Sequence, residues 1–263
     1  MQAGISARAG ILVQAGILER GFCGEYAVRE SWKCVILKKI GEKGDWHMLL
    51  SKEEYEHALQ CLDKKGQGGS PEEGLLREMQ EWAGNREGLE LYDYFCDRLE
   101  SGRLRLKIVL WDMEAEKMVM KGANYNGKKQ REFADKFADL SRKYGIYKEY
   151  WKAWDVFVTF DTLKDEIQSR ITERAAKEIH ALACGDIWRI EVFYGTIHCF
   201  YETDAQIAAH GKDGVSRAFW ENCSKIVRRY DKYGVFQEGI SCTFTSRQTL
   251  DEKYNGSLFF YFR

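Results

Sequence analysis

Apolar and polar positions along this chain recur with two alternating periods, one of strands and one of helices. Leu104, Leu106, Ile108 and Leu110 alternate with Arg103, Arg105 and Lys107, the pattern of an amphipathic strand. Met118 and Met120 mark its expected hairpin partner. From about Gly127 to Tyr144 the period lengthens: Phe133, Phe137, Leu140 and Tyr144 share one helical face, and Gly145 supplies a left-handed stop. Val156, Val158 and Phe160 return to strand spacing. Leu163, Ile167, Ile171, Ala175, Ile179 and Leu182 then predict a long helix, roughly Leu163 to Cys184, ended by Gly185. Trp188 to Tyr194 and Thr196 to Tyr201 read as a hairpin about Gly195. Val215, Phe219, Cys223, Ile226 and Tyr230 place a helix from Val215 to Tyr233, and Ile240, Cys242 and Phe244 a strand after it. Asn255-Gly256, a hairpin turn pair, precedes the aromatic run Leu258 to Phe262, which is expected to be a buried strand.

Upstream, Trp32 to Ile40 reads as a strand, the Gly41 to Asp45 segment as a turn and Trp46 to Leu50 as the partner strand. Two capping boxes follow. Ser51 with Glu54 opens a helix carrying Tyr55, Ala58, Leu59 and Leu62, and Ser70 with Glu73 opens another, with Pro71 in its first turn. Gly66-Gln67-Gly68-Gly69 separates the two, and a further helix is predicted from Gly88 to Glu100, stopped near Gly102.

The order repeats. The strand Leu104–Leu110 is answered by Trp188–Tyr194, 84 residues on, and Val156–Phe160 by Ile240–Phe244 at the same offset of 84. Each copy holds a helical stretch ending in Lys-Tyr-Gly, at 143–145 and 232–234, although these match only at an offset of 89. The expected fold class is therefore α+β: tandem strand-strand-helix-strand modules, with antiparallel sheets and helices packed on one face. The expected division is a low-complexity leader over 1–31, an N-terminal hairpin with helices over 32–101, a first α+β module over 102–186 and a second over 187–263. The leader carries a six-residue period (Gln2-Ala-Gly-Ile, Arg8-Ala-Gly-Ile, Gln14-Ala-Gly-Ile), too short to bury a core of its own.

Composition narrows the function class. Hydrophobic residues make up 44% of 263, enough for a real core, and the 31% of charged residues nearly cancel to a net charge of -1. That balance gives no field for a broad nucleic-acid surface. The eight cysteines include no Cys-x-x-Cys pair, and there is neither a secretory signal pattern nor an apolar run long enough to cross a bilayer. Reduced thiols in a cytoplasmic protein are expected.

No nucleophile elbow, phosphate loop, dinucleotide fingerprint or zincin motif is present, so no catalytic residue, cofactor or metal ligand is assigned. His180 and Cys184 are four apart on a predicted helix, but zinc needs two further ligands and none is signalled nearby. Adjacent His198 and Cys199 point to opposite faces of a strand. Asp155, Asp161, Asp165 and Glu166 cluster at a strand end. Asp161 is read as a helix cap, and Asp165 and Glu166 as favouring the positive helix N-terminus. Lys225, Arg228, Arg229 and Lys232 line one helix and are read as a solvated face. Tyr147, Tyr150, Trp151 and Trp154 stand in a connecting segment, and two readings stand side by side: anchors of a recognition patch, or a lid folded over the sheet.

Hairpin, amphipathic helix, a Thr243-Phe244-Thr245 strand, then a polar turn (Tyr254-Asn255-Gly256) into the aromatic run Leu258–Phe262 resembles small immunity proteins of bacterial polymorphic-toxin systems, over residues 187–263. The resemblance implies a cytoplasmic, non-catalytic protein that binds and blocks a toxin-like protein partner through aromatic and charged surface residues. The leading expectation is thus a protein-binding protein, with Tyr147, Tyr150, Trp151 and Trp154 as candidate partner contacts. The alternatives are a metal-assisted hydrolase using Asp161, Asp165 and His180, and a nucleic-acid-binding module around Arg228 and Arg229.

Overall fold

A computed structural model describes residues 50–64 and 69–262. The leader over 1–31, the predicted strands and turn from Trp32 to Leu50 (all but Leu50 itself), and most of the glycine-rich break at 66–69 lie outside the described residues. Among the described residues, 50–166 form one compact unit and 167–262 the other.

In the first unit, helix α1 (Lys52–Lys64) opens on the Ser51/Glu54 box, with Glu54 N donating to Ser51 Oγ and Ser51 N donating to Glu54 Oε2. Helix α2 (Pro71–Glu87) opens on the Ser70/Glu73 box and ends at Gly88 with φ 66°. The segment after Gly88 is strand β1 (Leu91–Arg98), not the predicted helix. It pairs antiparallel with β2 (Leu104–Leu110). Its apolar residues fit neither period cleanly, because a bulge at Tyr92 breaks the strand alternation. Leu91 pairs with Leu110 and Asp93 with Val109, so Leu91 and Tyr94 share the core face although three residues apart.

The Met118/Met120 hairpin partner does not form. Asp112 caps a helix there, α3 (Met113–Val119), through bonds from the Glu114 and Ala115 N–H groups. Met120 joins only a two-residue ladder, β3 (Met120–Lys121) with β4 (Asn124–Tyr125). Helix α4 (Gly127–Tyr144), capped by Asn126 and ended by Gly145 at φ 71°, matches its predicted span. Two 3-10 turns, Lys148–Trp151 and Ala153–Asp155, lead into β5 (Val156–Thr162), which pairs parallel with β2. The sheet order is β1-β2-β5, so the sheet is mixed rather than antiparallel.

One face of this sheet is apolar. Leu104, Leu106, Ile108 and Leu110 join Val156, Val158 and Phe160 under α2 and α4, around Phe133 and Phe137. Helices α2 and α4 approach closely at Gly74, where a Cβ would lie 2.7 Å from the Tyr144 ring. The other face is mixed: Arg105, Lys107 and Asp161 point away from that core beside the buried Val109, and Glu54 of α1 reaches Lys107 there. Helices thus cover both faces of this sheet, a second departure from the expected one-sided packing.

Helix α5 (Leu163–His180) ends four residues before Cys184. In the second unit β6 (Ile187–Phe193) and β7 (Thr196–Tyr201) form the predicted hairpin, followed by α6 (Asp204–Asp213) and α7 (Val215–Arg228), shorter than predicted. Strand β8 (Ser241–Ser246) pairs parallel with β7, giving the order β6-β7-β8. The two sheets share this plan, including a bulge in the outer hairpin strand, at Trp188 here. The offset of 84 joins β5 to β8, which hold the same place. It also joins β2 to β6, which do not, since one is a centre strand and the other an edge.

The C-terminal hairpin is corrected. Asn255 at φ 52° ends helix α8 (Arg247–Tyr254), and the aromatic run forms helix α9 (Leu258–Tyr261), with Ser257 accepting from Phe260 N. Asn-Gly serves a left-handed helix stop as readily as a hairpin turn, because both require positive φ. Phe259 and Phe260 are exposed at 50% and 49%, not buried. No helix among the described residues is long and apolar enough to cross a membrane.

Candidate functional site

Strand β1 is an edge, and both α1 and α2 pack against it. Between them opens a cleft of about 1040 Å³. Its walls carry Glu53, Glu54, Glu72, Glu73, Glu90 and Asp93, against Arg77 and His57. Tyr92, Tyr94, Phe95 and Tyr147 supply aromatic surface. The acids are there for local reasons: Glu53, Glu54, Glu72 and Glu73 occupy the first turns of two helices, where negative charge is favoured. Hydrogen bonds from its own backbone and from Ser51 hold Glu53 below the ordinary carboxylate range.

The strand edge is covered where it meets the cleft, at Tyr92 and Tyr94. Gln80 Nε2 donates to the Tyr92 carbonyl at 3.4 Å, and Tyr94 N donates to Asp93 Oδ1 at 2.8 Å. An edge blocked this way resists addition of another strand, so a ligand here is read by side chains.

Asp93 is 1% exposed and holds two groups. Beyond the Tyr94 N–H, its Oδ2 lies 2.7 Å from His57 Nδ1. Cys61, one turn further along α1, places Sγ 3.8 Å from the same Nδ1. The ligand atoms of His57, Cys61 and Asp93 all lie within 4.8 Å of one another. In a nucleophilic triad the thiol and the carboxylate bond opposite ring nitrogens; here both converge on one. That convergence suits a shared cation better than a proton relay.

Behind this wall, Lys107 is buried between Glu54 at 2.8 Å and Asp161 at 3.8 Å. Asp161 therefore faces Lys107 across the sheet rather than capping α5. Burial raises its pKa to about 6 against the opposing pull of Lys107. Glu116 is pushed to about 8 by burial and by Asp161 and Asp165, and its Oε1 has no hydrogen-bond partner. Asp165 and His180 stand fifteen residues apart on α5, about 22 Å along its axis, so that helix does not bring them together.

The connecting aromatics divide. Tyr150 is buried, its hydroxyl donating toward the Asp97 and Arg105 carbonyls at 2.8 and 3.0 Å. Trp151 is half-buried, with Nε1 donating to the Ile146 carbonyl at 3.1 Å. Tyr147, at φ 46°, turns its ring against Tyr94 and Phe137 and lines the cleft. Trp154 stands out at 66% exposure.

The basic stretch at the end of α7 is engaged at Arg228 and Arg229. Arg228 donates to the Phe236 and Gln237 carbonyls, and Arg229 pairs with Glu178. His198 packs on Tyr261, with Nδ1 2.9 Å from its hydroxyl. Cys184 is exposed beyond the end of α5, so it shares no helical face with His180.

His57 and Cys61 are not among the candidates the sequence offers, although their four-residue spacing repeats that of His180 and Cys184. The third member, Asp93, is brought in by the sheet. No family model matches this chain, and no curated protein or solved structure matches it.

Proposed function

We propose that this chain is a non-enzymatic binding protein that holds a basic segment of a protein partner in the cleft between α1 and α2, and that it acts as a cytoplasmic immunity protein blocking a toxin. The observation that carries the reading is the cleft's composition: Glu53, Glu72, Glu73 and Glu90 over an aromatic floor, with Glu54 and Asp93 in the same walls but paired to Lys107 and His57. Lysine and arginine side chains fit such a surface, with charge complementarity at the rim and cation–π contact at Tyr92 and Phe95. A chain of net charge -1 that concentrates acids in one cleft is selective for local basic sequence rather than for cations in general.

The immunity role rests on the hairpin–helix–strand order of β6, β7, α7 and β8. A further helix, α6, stands between that hairpin and α7, and the terminal aromatic run that also suggested the role is helical, so the resemblance rests on the hairpin, α7 and β8 alone. Tyr147 belongs to the contact surface as part of the cleft. Trp154 is a second accessible anchor, while Tyr150 and Trp151 support the connector from beneath.

The test is a titration of the full chain with a lysine-rich peptide, followed by tyrosine and tryptophan fluorescence at low and high salt. Saturable binding that weakens as salt rises supports the proposal. Equal binding of a glutamate-rich peptide, or no binding of the basic one, contradicts it.

A further inference from the structure

We infer that His57, Cys61 and Asp93 form a binding site for a borderline-soft divalent cation of the zinc type, open to the cleft at its fourth position. Three features of the geometry carry this. The first is the ligand set, an imidazole, a thiol and a carboxylate, which as thiolate, neutral ring and carboxylate matches zinc or cobalt and poorly suits calcium or magnesium.

The second is convergence. Around a tetrahedral zinc, ligand atoms at the usual bond lengths stand about 3.3–3.6 Å apart. Cys61 Sγ and His57 Nδ1 are already 3.8 Å apart. His57 Nδ1 and Asp93 Oδ2, at 2.7 Å, are joined by a hydrogen bond whose proton the cation replaces, and they separate by about 0.6 Å to admit it. One ring proton cannot serve a carboxylate and a thiol well at once, whereas one cation serves all three.

The third is outer-sphere support. Asp93 is buried, and its second oxygen accepts the Tyr94 N–H at 2.8 Å, which fixes the carboxylate so that Oδ2 faces His57. Metal-ligating carboxylates are held in this way. The two remaining ligands come from successive turns of one helix, four residues apart, with His57 on the exposed side and Cys61 half-buried. Binding the cation releases the Cys61 thiol proton, while a neutral His57 ring carries its one proton on Nε2 instead of Nδ1, so affinity rises with pH.

The site is separable from the basic-segment reading, because it is loaded and read without any partner, while peptide binding is measured in the presence of a chelator. Zinc is titrated into the full reduced chain calorimetrically, cobalt is used for its thiolate charge-transfer band, and alkylation of each cysteine is followed by mass spectrometry. The expected result is one zinc whose affinity falls at least tenfold in Cys61→Ser and in His57→Gln but not in Cys184→Ser, with zinc slowing alkylation of Cys61 itself. Protection is read on the unaltered chain, so it stands even if a variant fails to fold. Cys61 alkylated equally fast with and without zinc, or zinc affinity unchanged in both variants, overturns the inference.

Discussion

Asp93 reaches across to His57 from the edge of the first sheet, its Oδ2 2.7 Å from the ring Nδ1, while its other oxygen takes the Tyr94 N–H. This buried carboxylate ties α1 to β1 and shapes the acidic wall of the cleft. Replacing it with alanine strands a buried N–H group. We expect Asp93→Ala to destabilise the chain by about 1–3 kcal/mol, read as a lower urea midpoint. His57→Ala leaves the buried Asp93 Oδ2 without the ring, so it too should destabilise the chain, by about 1–3 kcal/mol.

Glu116 gives the fold a pH dependence of definite sign. Burial, Asp161 and Asp165 raise its carboxyl from an ordinary 4.5 to about 8. A carboxyl raised on folding contributes stability that is full below its unfolded pKa and is lost as pH rises through the folded one. Unfolding free energy should therefore fall between about pH 4.5 and pH 8. Glu116→Gln should flatten that slope and leave the chain more stable at pH 8 by an amount on the order of a few kcal/mol. Denaturant titrations at several pH values decide this; an unchanged slope in Glu116→Gln counts against a buried neutral acid.

His210 behaves in the same direction from different chemistry. Asp213 and Asp186, each 2.9 Å from a ring nitrogen, raise its pKa above the ordinary 6.5. The stabilisation is complete below that value and disappears as pH rises through the higher folded pKa. A proton NMR titration should find His210 titrating above the unfolded value in the native chain and close to it in the Asp186→Asn, Asp213→Asn double variant.

Gly239 is required by the backbone and by its neighbour. Its φ is +93°, and a Cβ would stand 2.4 Å from Cζ2 of Trp220, whose Nε1 is bound to the Ile240 carbonyl at 2.7 Å. The indole cannot swing away without breaking that bond. Gly239→Ala should cost at least about 2 kcal/mol. Gly84, on α2 with nothing within 4 Å of a Cβ, is the contrast, and Gly84→Ala should stabilise by about 0.5–1 kcal/mol. Thermal melts of the two variants should move in opposite directions.

Local chemistry was legible in the sequence and long-range pairing was not. Ser51/Glu54, Ser70/Glu73 and Gly145 each act within one turn, and each takes its expected role. The hairpin about Gly195 is equally local. The failures arise where a distant partner decides. Strand β1 looked helical because the bulge at Tyr92 scrambles its alternation, and only pairing with β2 restores it. The parallel pairing of β2 with β5 joins Leu104 to Val156 across two intervening helices, α3 and α4, and carries no local signature. Asn255-Gly256 was read as a hairpin because the dipeptide reports positive φ, which a helix end also requires. For the candidate site, the four-residue spacing of His57 and Cys61 marks no site by itself, and Asp93 reaches them only through the fold. The connecting aromatics illustrate the same limit: whether Tyr150 or Trp154 faces solvent depends on which carbonyls lie beneath, and the chain carries no local mark of that.

The central claim is that the acidic cleft of the first unit recognises basic sequence. Its most direct measurement compares the affinity of a lysine-rich peptide for the unaltered chain and for two charge-neutralised variants. One is Glu53→Gln, Glu72→Gln, Glu90→Gln in the cleft; the other is Glu238→Gln, Asp251→Asn, Glu252→Gln in the second unit. Both remove the same charge, so the net field of the protein changes equally. Loss of at least tenfold in affinity for the first variant, with little change for the second, is the expected outcome. Equal losses, or none in either, would mean that the cleft does not read basic sequence.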